Sequence, residues 1–257
     1  MLLAIDVGNT ETVLGVFRDE DLAWRWRLAT VPDRTADELA LLFGGFLEQQ
    51  ELSFDRNVTA VVVSSVVPSA TQALREMVGR YFGFPPLVVE PGIKTGVAIL
   101  IDNPKEVGAD RIVNSLAAFT KFGGPAVVVD FGTATTFDCV SENGEYVGGA
   151  IAPGLQVAGQ ALFEHAARLP LVELVPPRSV IGKGTVEAVQ SGLVLGYASM
   201  VDGMVERIAK DLGHPTVIAT GGLAPVVLGE CRTIDHHETW LTMEALRLVF
   251  DRNVEHP

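Results

Sequence analysis

The sequences Leu3-Ala-Ile-Asp6-Val-Gly8 and Val127-Val-Val-Asp130-Phe-Gly132 decide the fold, because the second repeats the pattern of the first 124 positions later. Each is an apolar β-strand pattern that ends in Asp-x-Gly, with hydroxyl side chains close behind. A glycine at a strand end lets a ligand approach the backbone and leaves amide groups free to bind phosphate oxygens. The pattern predicts two similar phosphate-binding turns in one chain.

The elements around the two turns follow the same order, which indicates a duplicated α/β domain. Each half reads as a strand, an Asp-x-Gly turn, two more strands, a helix, a strand and a helix. The offset of 124 places Thr12 on Thr136, and a later match sets Ser64 on Thr220 at an offset of 156. The extra residues of the second half are then expected within 154–183.

Apolar runs and helical periods outline the predicted elements. Thr185 is expected to cap the longest helix and Gly213 to end it. We predict two halves, residues 1–120 and 121–257, with the active cleft between them. Strands are predicted at 2–5, 12–17, 22–28, 58–64, 87–89, 126–129, 136–140, 145–150 and 216–219, and helices at 37–50, 68–82, 112–119, 185–212 and 242–253.

Composition limits the possible partners of the chain. Its 257 residues carry 19 Lys and Arg against 32 Asp and Glu, a net charge of −13 and a pI near 4.8, which argues against nucleic acid and anionic membranes. Two cysteines, Cys139 and Cys231, make a poor disulfide framework and favour a reducing compartment. No secretory signal is visible, and no apolar run approaches the ~20 residues of a membrane helix. We therefore expect a cytoplasmic protein.

Other phosphate or metal sites fit the sequence less well. No Gly-x-Gly-x-x-Gly follows the first strand, which argues against a Rossmann site. The segment 182–185, Gly-Lys-Gly-Thr, imitates part of a P-loop, but Pro177 and Gly184 stand where a P-loop needs Gly and Ser or Thr. His236 and His237 are adjacent and are predicted to be surface residues rather than metal ligands. By contrast, Asp6 stands at a strand end, where a carboxylate can hold magnesium.

Two Asp-x-Gly turns in two repeated halves resemble the superfamily of acetate kinase, sugar kinases, heat-shock chaperones and actin. The resemblance implies duplicated ribonuclease-H-like (actin-like ATPase) domains, with mixed sheets flanked by helices. Within that superfamily, the chain is similar over nearly its whole length to the type III pantothenate kinases. The matching segments are Asp6–Thr10, Ser64–Pro68, Lys94–Gly96, Asp102–Pro104, Gly108–Arg111, Asp130–Phe137, Gly148–Gly154, Gly182–Thr185 and Thr220–Ala224.

The resemblance implies ATP-dependent phosphorylation of the primary hydroxyl of pantothenate to 4′-phosphopantothenate, the first step of coenzyme A biosynthesis. It implies Asp110 as general base, Mg²⁺ at Asp6 and a monovalent cation, K⁺ or NH₄⁺, at Asp130. Thr133 is expected to contact ATP, and Thr185 to contact pantothenate across the interface of a homodimer. The implied ATP-binding residues are Asp6, Val7, Gly8, Asn9, Thr10, Glu11, Thr12 and Val13. The implied pantothenate-binding residues are Ile101, Gly108, Ala109, Asp110, Arg111 and Thr185.

One position departs from the family pattern. Many type III pantothenate kinases carry a tyrosine just before the Asp-Asn-Pro segment, and this chain has Ile101 there. The substitution replaces a hydrogen-bonding wall of the expected pocket with an apolar one. Two alternatives stay open: a ligand-binding regulatory homologue, of the type named as transcription accessory factors, and a related small-molecule kinase. The intact Asp6, Asp110, Arg111 and Asp130 favour the enzyme.

Overall fold

The computed structural model of the chain describes residues 1–166 and 168–254. It divides into two compact units, each discontinuous in sequence. The first unit comprises Met1–Gly96, Asn103–Ala117 and the segment from Thr242 onward; the second comprises Val97–Asp102 and Ala118–Leu241. The contact-defined units therefore differ in composition from the two sequence halves, 1–120 and 121–257, and that division into repeats stays a prediction.

The described residues form ten strands and eight α-helices. Short 3₁₀ helices cover Pro104–Glu106 and Leu228–Glu230, and a π-helical turn covers Ser191–Leu195. In chain order the elements are β1 (Leu2–Val7), β2 (Glu11–Arg18), β3 (Asp21–Ala29), α1 (Ala36–Glu48), β4 (Ala60–Ser65), α2 (Pro68–Tyr81), β5 (Leu87–Val88), α3 (Ala109–Phe122), β6 (Ala126–Phe131), β7 (Ala134–Val140), β8 (Tyr146–Pro153), α4 (Leu155–His165), α5 (Thr185–Gln190), α6 (Gly196–Leu212), β9 (Thr216–Thr220), α7 (Ala224–Val227), β10 (His236–His237) and α8 (Leu241–Asn253).

The two sheets have the same topology, which confirms the predicted duplication. The first has the order β3-β2-β1-β4-β5 and the second the order β8-β7-β6-β9-β10. In each, three antiparallel strands are extended by two parallel ones. This is the mixed-sheet architecture of a duplicated ribonuclease-H-like fold.

Each sheet packs a buried apolar face against helices. In the first unit, Ile5 and Val63 of the sheet share a core with Phe43 of α1 and Met77 of α2. Helix α1 begins in a capping box, in which Thr35 accepts a hydrogen bond from the amide of Glu38. The second unit has an equivalent core, which includes Val129, Phe137, Val201, Val205 and Ala219. The parallel strands are therefore held with their carboxyl ends at one edge of each sheet.

Three local predictions needed correction. Gly184, not Thr185, is the N-cap of α5, because Gly184 still has extended backbone angles (φ −142°, ψ 162°) while Thr185 is already helical. The single helix predicted over 185–212 is interrupted by the π-helical turn, where the Ser191 hydroxyl donates to the Val180 carbonyl outside the helix. The extra residues of the second half include an unpredicted helix, α4.

Other local predictions are confirmed. Gly213 ends α6 with φ +91°, and His236 and His237 are exposed. Across 1–166 and 168–254, no helix combines the length and apolar character needed to cross a membrane.

Candidate active site

The first Asp-x-Gly turn joins β1 to β2 in the first unit. Asp6 lies opposite Ser64 of β4 and Val13 of β2 in the strand register. The amide of Gly8 donates to the carbonyl of Glu11 at 3.0 Å, which closes the turn. The predicted ATP-binding residues, 6–13, thus form the end of β1, the turn itself and the first residues of β2. Phosphate binding requires backbone amides at the carboxyl end of a buried strand, and this turn lies at such a position.

The carboxyl group of Asp6 is strongly perturbed. Burial, reinforced by the negative charge of Asp110, raises the pKa of Asp6 from 3.8 to about 7, although the nearby Ser64 hydroxyl lowers it in part. The Ser64 hydroxyl is buried and has no hydrogen-bond partner of ordinary length and angle among the described residues. The structure therefore brings Asp6 and Asp110 close enough to repel each other, although they lie 104 positions apart in sequence. Such a pair attracts a cation.

The donor set at Asp6 suits magnesium. Mg²⁺ prefers hard oxygen ligands and keeps several waters, so one or two carboxylates and substrate phosphates complete its coordination. Asp6, its neighbour Asp110 and the spare Ser64 hydroxyl are all oxygen donors. In the part of the chain that the structure describes, no three or more His, Cys, Asp or Glu side chains form a metal cage. A magnesium ion here would depend on phosphate oxygens as well as on Asp6.

Asp110 lies in the first turn of α3, at the second helical position. Burial raises its pKa, and the amide and charge of Arg111 oppose the rise; that amide donates to the Asp110 carboxylate at 2.9 Å. A higher pKa makes a carboxylate a better proton acceptor at neutral pH. The predicted pantothenate-binding residues 108–111 form the entry to this helix, with the amide of Ile112 donating to the Gly108 carbonyl. Within this segment, Asp110 is the residue whose charge acts on Asp6.

The second Asp-x-Gly turn joins β6 to β7 in the second unit. Asp130 lies opposite Thr136 and Thr220 in the register, and the amide of Gly132 donates to the carbonyl of Ala134 at 3.0 Å. Gly221, with φ +93°, lies directly against the Asp130 carboxylate, so a side chain there would overlap it. Asp130 thus ends β6 with threonines opposite it on both neighbouring strands, and hydroxyl and carboxylate oxygens are suitable ligands for a hard monovalent cation.

The register corrects one detail of the repeat. Asp6 pairs with Val13, whereas Asp130 pairs with Thr136. Thr12 is therefore equivalent to Thr135 and not to Thr136, because the second turn is one residue shorter than the first. The match of Ser64 with Thr220 is confirmed, since each lies opposite the aspartate of its own unit.

Ile101 and Thr185 lie on other elements of the second unit. The segment 97–102 runs beside the start of β8, where the amide of Leu100 donates to the Tyr146 carbonyl at 2.8 Å. This places the Ile101 side chain over Gly148, at 3.9 Å from a Cβ built there. Thr185 is exposed at the start of α5. Thus Asp6 and Asp110 come together in one unit, and Asp130 and Thr133 share a turn in the other.

Sequence reasoning did not assign Ser64, Gly154 or Gly221 to the site. All three lie in segments that match between the chain and the family, but their role depends on contacts across strands. Gly154 lies against the Gly132-Thr133 backbone so closely that a Cβ would overlap both carbonyl groups. Ser64 lies near the end of β4, and Gly221 follows directly after β9. In each half, a position at the end of a second apolar strand was the signal in the sequence that could have identified these two residues.

Comparison with known proteins agrees with this architecture. The profile of the family described as "Type III pantothenate kinase" matches residues 2–207. A protein of that name from Streptomyces avermitilis is 56% identical over 262 residues and covers 99% of each chain. Another from Acidothermus cellulolyticus is 58% identical over 256 residues, also with 99% of each chain covered.

Solved structures share the fold at low identity. A Baf family transcriptional activator from Campylobacter jejuni superposes with a TM-score of 0.61, at 19% identity and with 98% of each chain covered. The activator of 2-hydroxyisocaproyl-CoA dehydratase from Clostridium difficile, with bound ADPNP, has a TM-score of 0.54 at 13% identity, and covers 100% of this chain and 98% of its own. These likenesses concern the fold alone.

Proposed function

The chain belongs to the type III pantothenate kinase family, and we propose that Asp110 is the general base with which it phosphorylates pantothenate. The family reaction is ATP-dependent and opens coenzyme A biosynthesis. The observation that carries the assignment is a partly buried carboxylate with a raised pKa, in the Gly108-Ala-Asp-Arg segment and beside Asp6. Arg111 would supply a cation for the substrate carboxylate or for the phosphate in transfer.

Asp110 accepts the proton of the pantothenate primary hydroxyl in this mechanism. The hydroxyl oxygen then bonds to the γ-phosphorus of ATP, while the bond from that phosphorus to the bridging oxygen breaks and ADP leaves. Residues 6–13 would bind the ATP phosphates through backbone amides, Asp6 would hold Mg²⁺, and Thr133 would be a further nucleotide contact. When bound, Mg²⁺ neutralises phosphate charge. Ile101, Gly108 and Ala109 line the pantothenate site.

A coupled ADP-release assay with ATP and pantothenate tests the base. We expect turnover by the wild type, and a decrease in kcat of about 10²- to 10⁴-fold in Asp110→Asn, because positioned general bases contribute that much. Asp21→Asn, which changes an exposed carboxylate of the same unit, serves as the matched control. Near-wild-type turnover by Asp110→Asn would show that the base is another group.

The same assay separates kinase from regulator and from other kinases. The fold shared with a Baf family transcriptional activator makes a ligand-binding regulator the second candidate. A protein that binds ATP but releases no ADP with pantothenate would support that candidate or a kinase for another small molecule.

We propose that Asp130 binds a monovalent cation. Asp130 lies at the end of β6, opposite Thr136 and Thr220, and carboxylate and hydroxyl oxygens are hard donors. We expect activity with K⁺ or NH₄⁺ and little with Na⁺, and we expect Asp130→Asn to lose this difference. Equal rates in K⁺ and Na⁺ would refute this part of the proposal.

We propose further that the protein works as a homodimer in the cytoplasm, with Thr185 contributed to the partner's pantothenate site. The second unit exposes large apolar side chains around α4 and α5, a surface typical of protein interfaces. These side chains include Ile151, Phe163, Leu171, Val180, Ile181 and Val186. The cleft expected between the halves stays a prediction.

Mixing two inactive variants tests the role of Thr185. If Thr185 acts across the interface, a dimer of Thr185→Ala with Asp110→Asn contains one site with both native residues. Activity should then reappear on mixing and subunit exchange. Sedimentation measures the dimer independently. Dimers that exchange subunits but regain no activity would place Thr185 in the site of its own chain.

A further inference from the structure

Thr30 is the first residue after β3, and it is hydrogen-bonded to the first Asp-x-Gly turn at two points. Its amide donates to the carbonyl of Thr10 at 2.9 Å. Its hydroxyl lies 2.8 Å from the hydroxyl of Thr12, which is buried. The backbone of Thr30 thus holds Thr10 in the turn, and its side chain holds Thr12 in the strand that follows the turn.

The backbone half of this contact recurs in the second unit. Gly154 is the first residue after β8, as Thr30 is the first after β3, and its amide donates to the carbonyl of Thr133 at 3.0 Å. A side chain at Gly154 would overlap the carbonyl groups of Gly132 and Thr133. In both units, therefore, the exit of the third strand binds the phosphate turn.

The hydroxyl half of the contact is specific to the first unit. The first turn is one residue longer than the second, and a threonine side chain fits where the second unit requires glycine. A cavity of about 20 Å³ is lined in part by Thr12, Thr30 and Arg34. Within this lining, the Thr30 hydroxyl has the Thr12 hydroxyl as its hydrogen-bond partner at 2.8 Å.

We propose that Thr30 is a positioning residue for the ATP phosphates, acting through Thr10 and Thr12. The inference rests on the proposed role of residues 6–13 in nucleotide binding. Backbone amides bind an anion well only when the turn is already held in the binding conformation. Loss of the Thr30 hydroxyl should therefore weaken binding of the nucleotide and leave pantothenate binding unchanged.

The test compares Thr30→Val, which keeps the shape and the backbone donor, with Thr30→Ser, which keeps the hydroxyl. One hydrogen bond of ordinary strength corresponds to a change of about fivefold to tenfold in binding. We expect the KM for ATP to rise by about that factor in Thr30→Val, with the KM for pantothenate unchanged, and to return close to wild type in Thr30→Ser. Thr59→Val is the matched control, because the Thr59 hydroxyl bonds to Met1 at the other end of β1.

Titration calorimetry with Mg·ADP makes the test independent of turnover. Weaker Mg·ADP binding by Thr30→Val than by Thr30→Ser and Thr59→Val supports the proposal, even if pantothenate proves to be the wrong substrate. Equal Mg·ADP affinity in wild type and Thr30→Val overturns it while the kinase assignment stands. Equal increases in both KM values, or a Thr30→Ser as impaired as Thr30→Val, overturn it in favour of a structural role. A wild type that binds no Mg·ADP overturns both.

Discussion

Replacing Asp6 with Asn should stabilise the folded protein at neutral pH while it removes activity. The carboxylate of Asp6 is partly buried and faces the charge of Asp110, and its pKa is raised to about 7. The folded state therefore holds a proton that the unfolded state releases. Asn is close in shape to a protonated Asp and carries no charge at any pH. The variant lacks the ligand proposed for Mg²⁺, so its gain in stability comes with a loss of function.

The magnitude follows from the two pKa values. Each unit of pKa difference between folded and unfolded states corresponds to about 1.4 kcal/mol, so a rise from 3.8 to about 7 lowers the free energy of unfolding by about 4 kcal/mol above pH 7. The stability is fully present below pH 3.8 and is lost as the pH rises through the folded-state pKa. We expect the advantage of Asp6→Asn to grow by about 2 kcal/mol between pH 5.5 and 7.5.

Urea unfolding at several pH values between 5.5 and 8.5 measures this advantage. The range avoids the pI near 4.8, where low net charge promotes precipitation, and EDTA removes metal that would bind Asp6. Trp24 and Trp26, which pack against the core of the first unit, report unfolding by fluorescence. Asp21→Asn provides the control for loss of an exposed carboxylate from the same unit.

A difference between wild type and Asp6→Asn that does not change with pH would refute the reasoning. So would a variant that is less stable than the wild type at pH 8, since the Asp6 side chain would then stabilise the fold as an ion. Either result would mean that Asp6 is solvated, or paired with a cationic group, when no ligand is present.

Two further substitutions test contacts in the second unit. Burial pushes the pKa of Asp202 upward, but hydrogen bonds from Arg232 and Thr233 outweigh it and lower the pKa; Asp202→Asn should lower the free energy of unfolding by about 2 kcal/mol. That loss should be constant from pH 5.5 to 8.5, because the contribution of Asp202 disappears only as the pH falls below about 4, and urea unfolding followed by circular dichroism measures it. Gly221→Ala should lower the melting temperature and the activity together, because the added Cβ would overlap the Asp130 carboxylate and the backbone there has φ +93°. Gly45→Ala, in open space on α1, should instead stabilise the fold by about 0.5–1 kcal/mol. Calorimetry measures both variants, and a Gly221→Ala more stable than Gly45→Ala would contradict this.

The repeat was predictable because it is written in local patterns. Apolar runs that end in Asp-x-Gly identify the ends of β1 and β6 as equivalent positions. The predicted match of Ser64 with Thr220 agrees with the observed strand register. Strand ends and tight turns depend on a few neighbouring residues, so sequence spacing alone locates them. The same reasoning correctly ended α6 at Gly213.

The errors occurred where non-local contacts decide. The shorter second turn shifts the match of Thr12 from Thr136 to Thr135, and only strand pairing shows the shift. The π-helical turn after Gln190 accompanies hydrogen bonds from Gln190 and Ser191 to the segment 173–180. A periodicity analysis does not include partners at that distance, so it predicts one continuous helix.

The sequence by itself determined which chemical groups this protein presents: two aspartates at strand ends, glycines that leave amides accessible, and the Gly108-Ala-Asp-Arg segment. Only the tertiary structure decided the surroundings of those groups. It places the charge of Asp110 beside Asp6 and withdraws both carboxylates partly from solvent, which raises both pKa values. It also brings Thr30 against Thr12. A pKa and a hydrogen bond depend on distance and solvation, and neither is a property of a residue's own position in the chain.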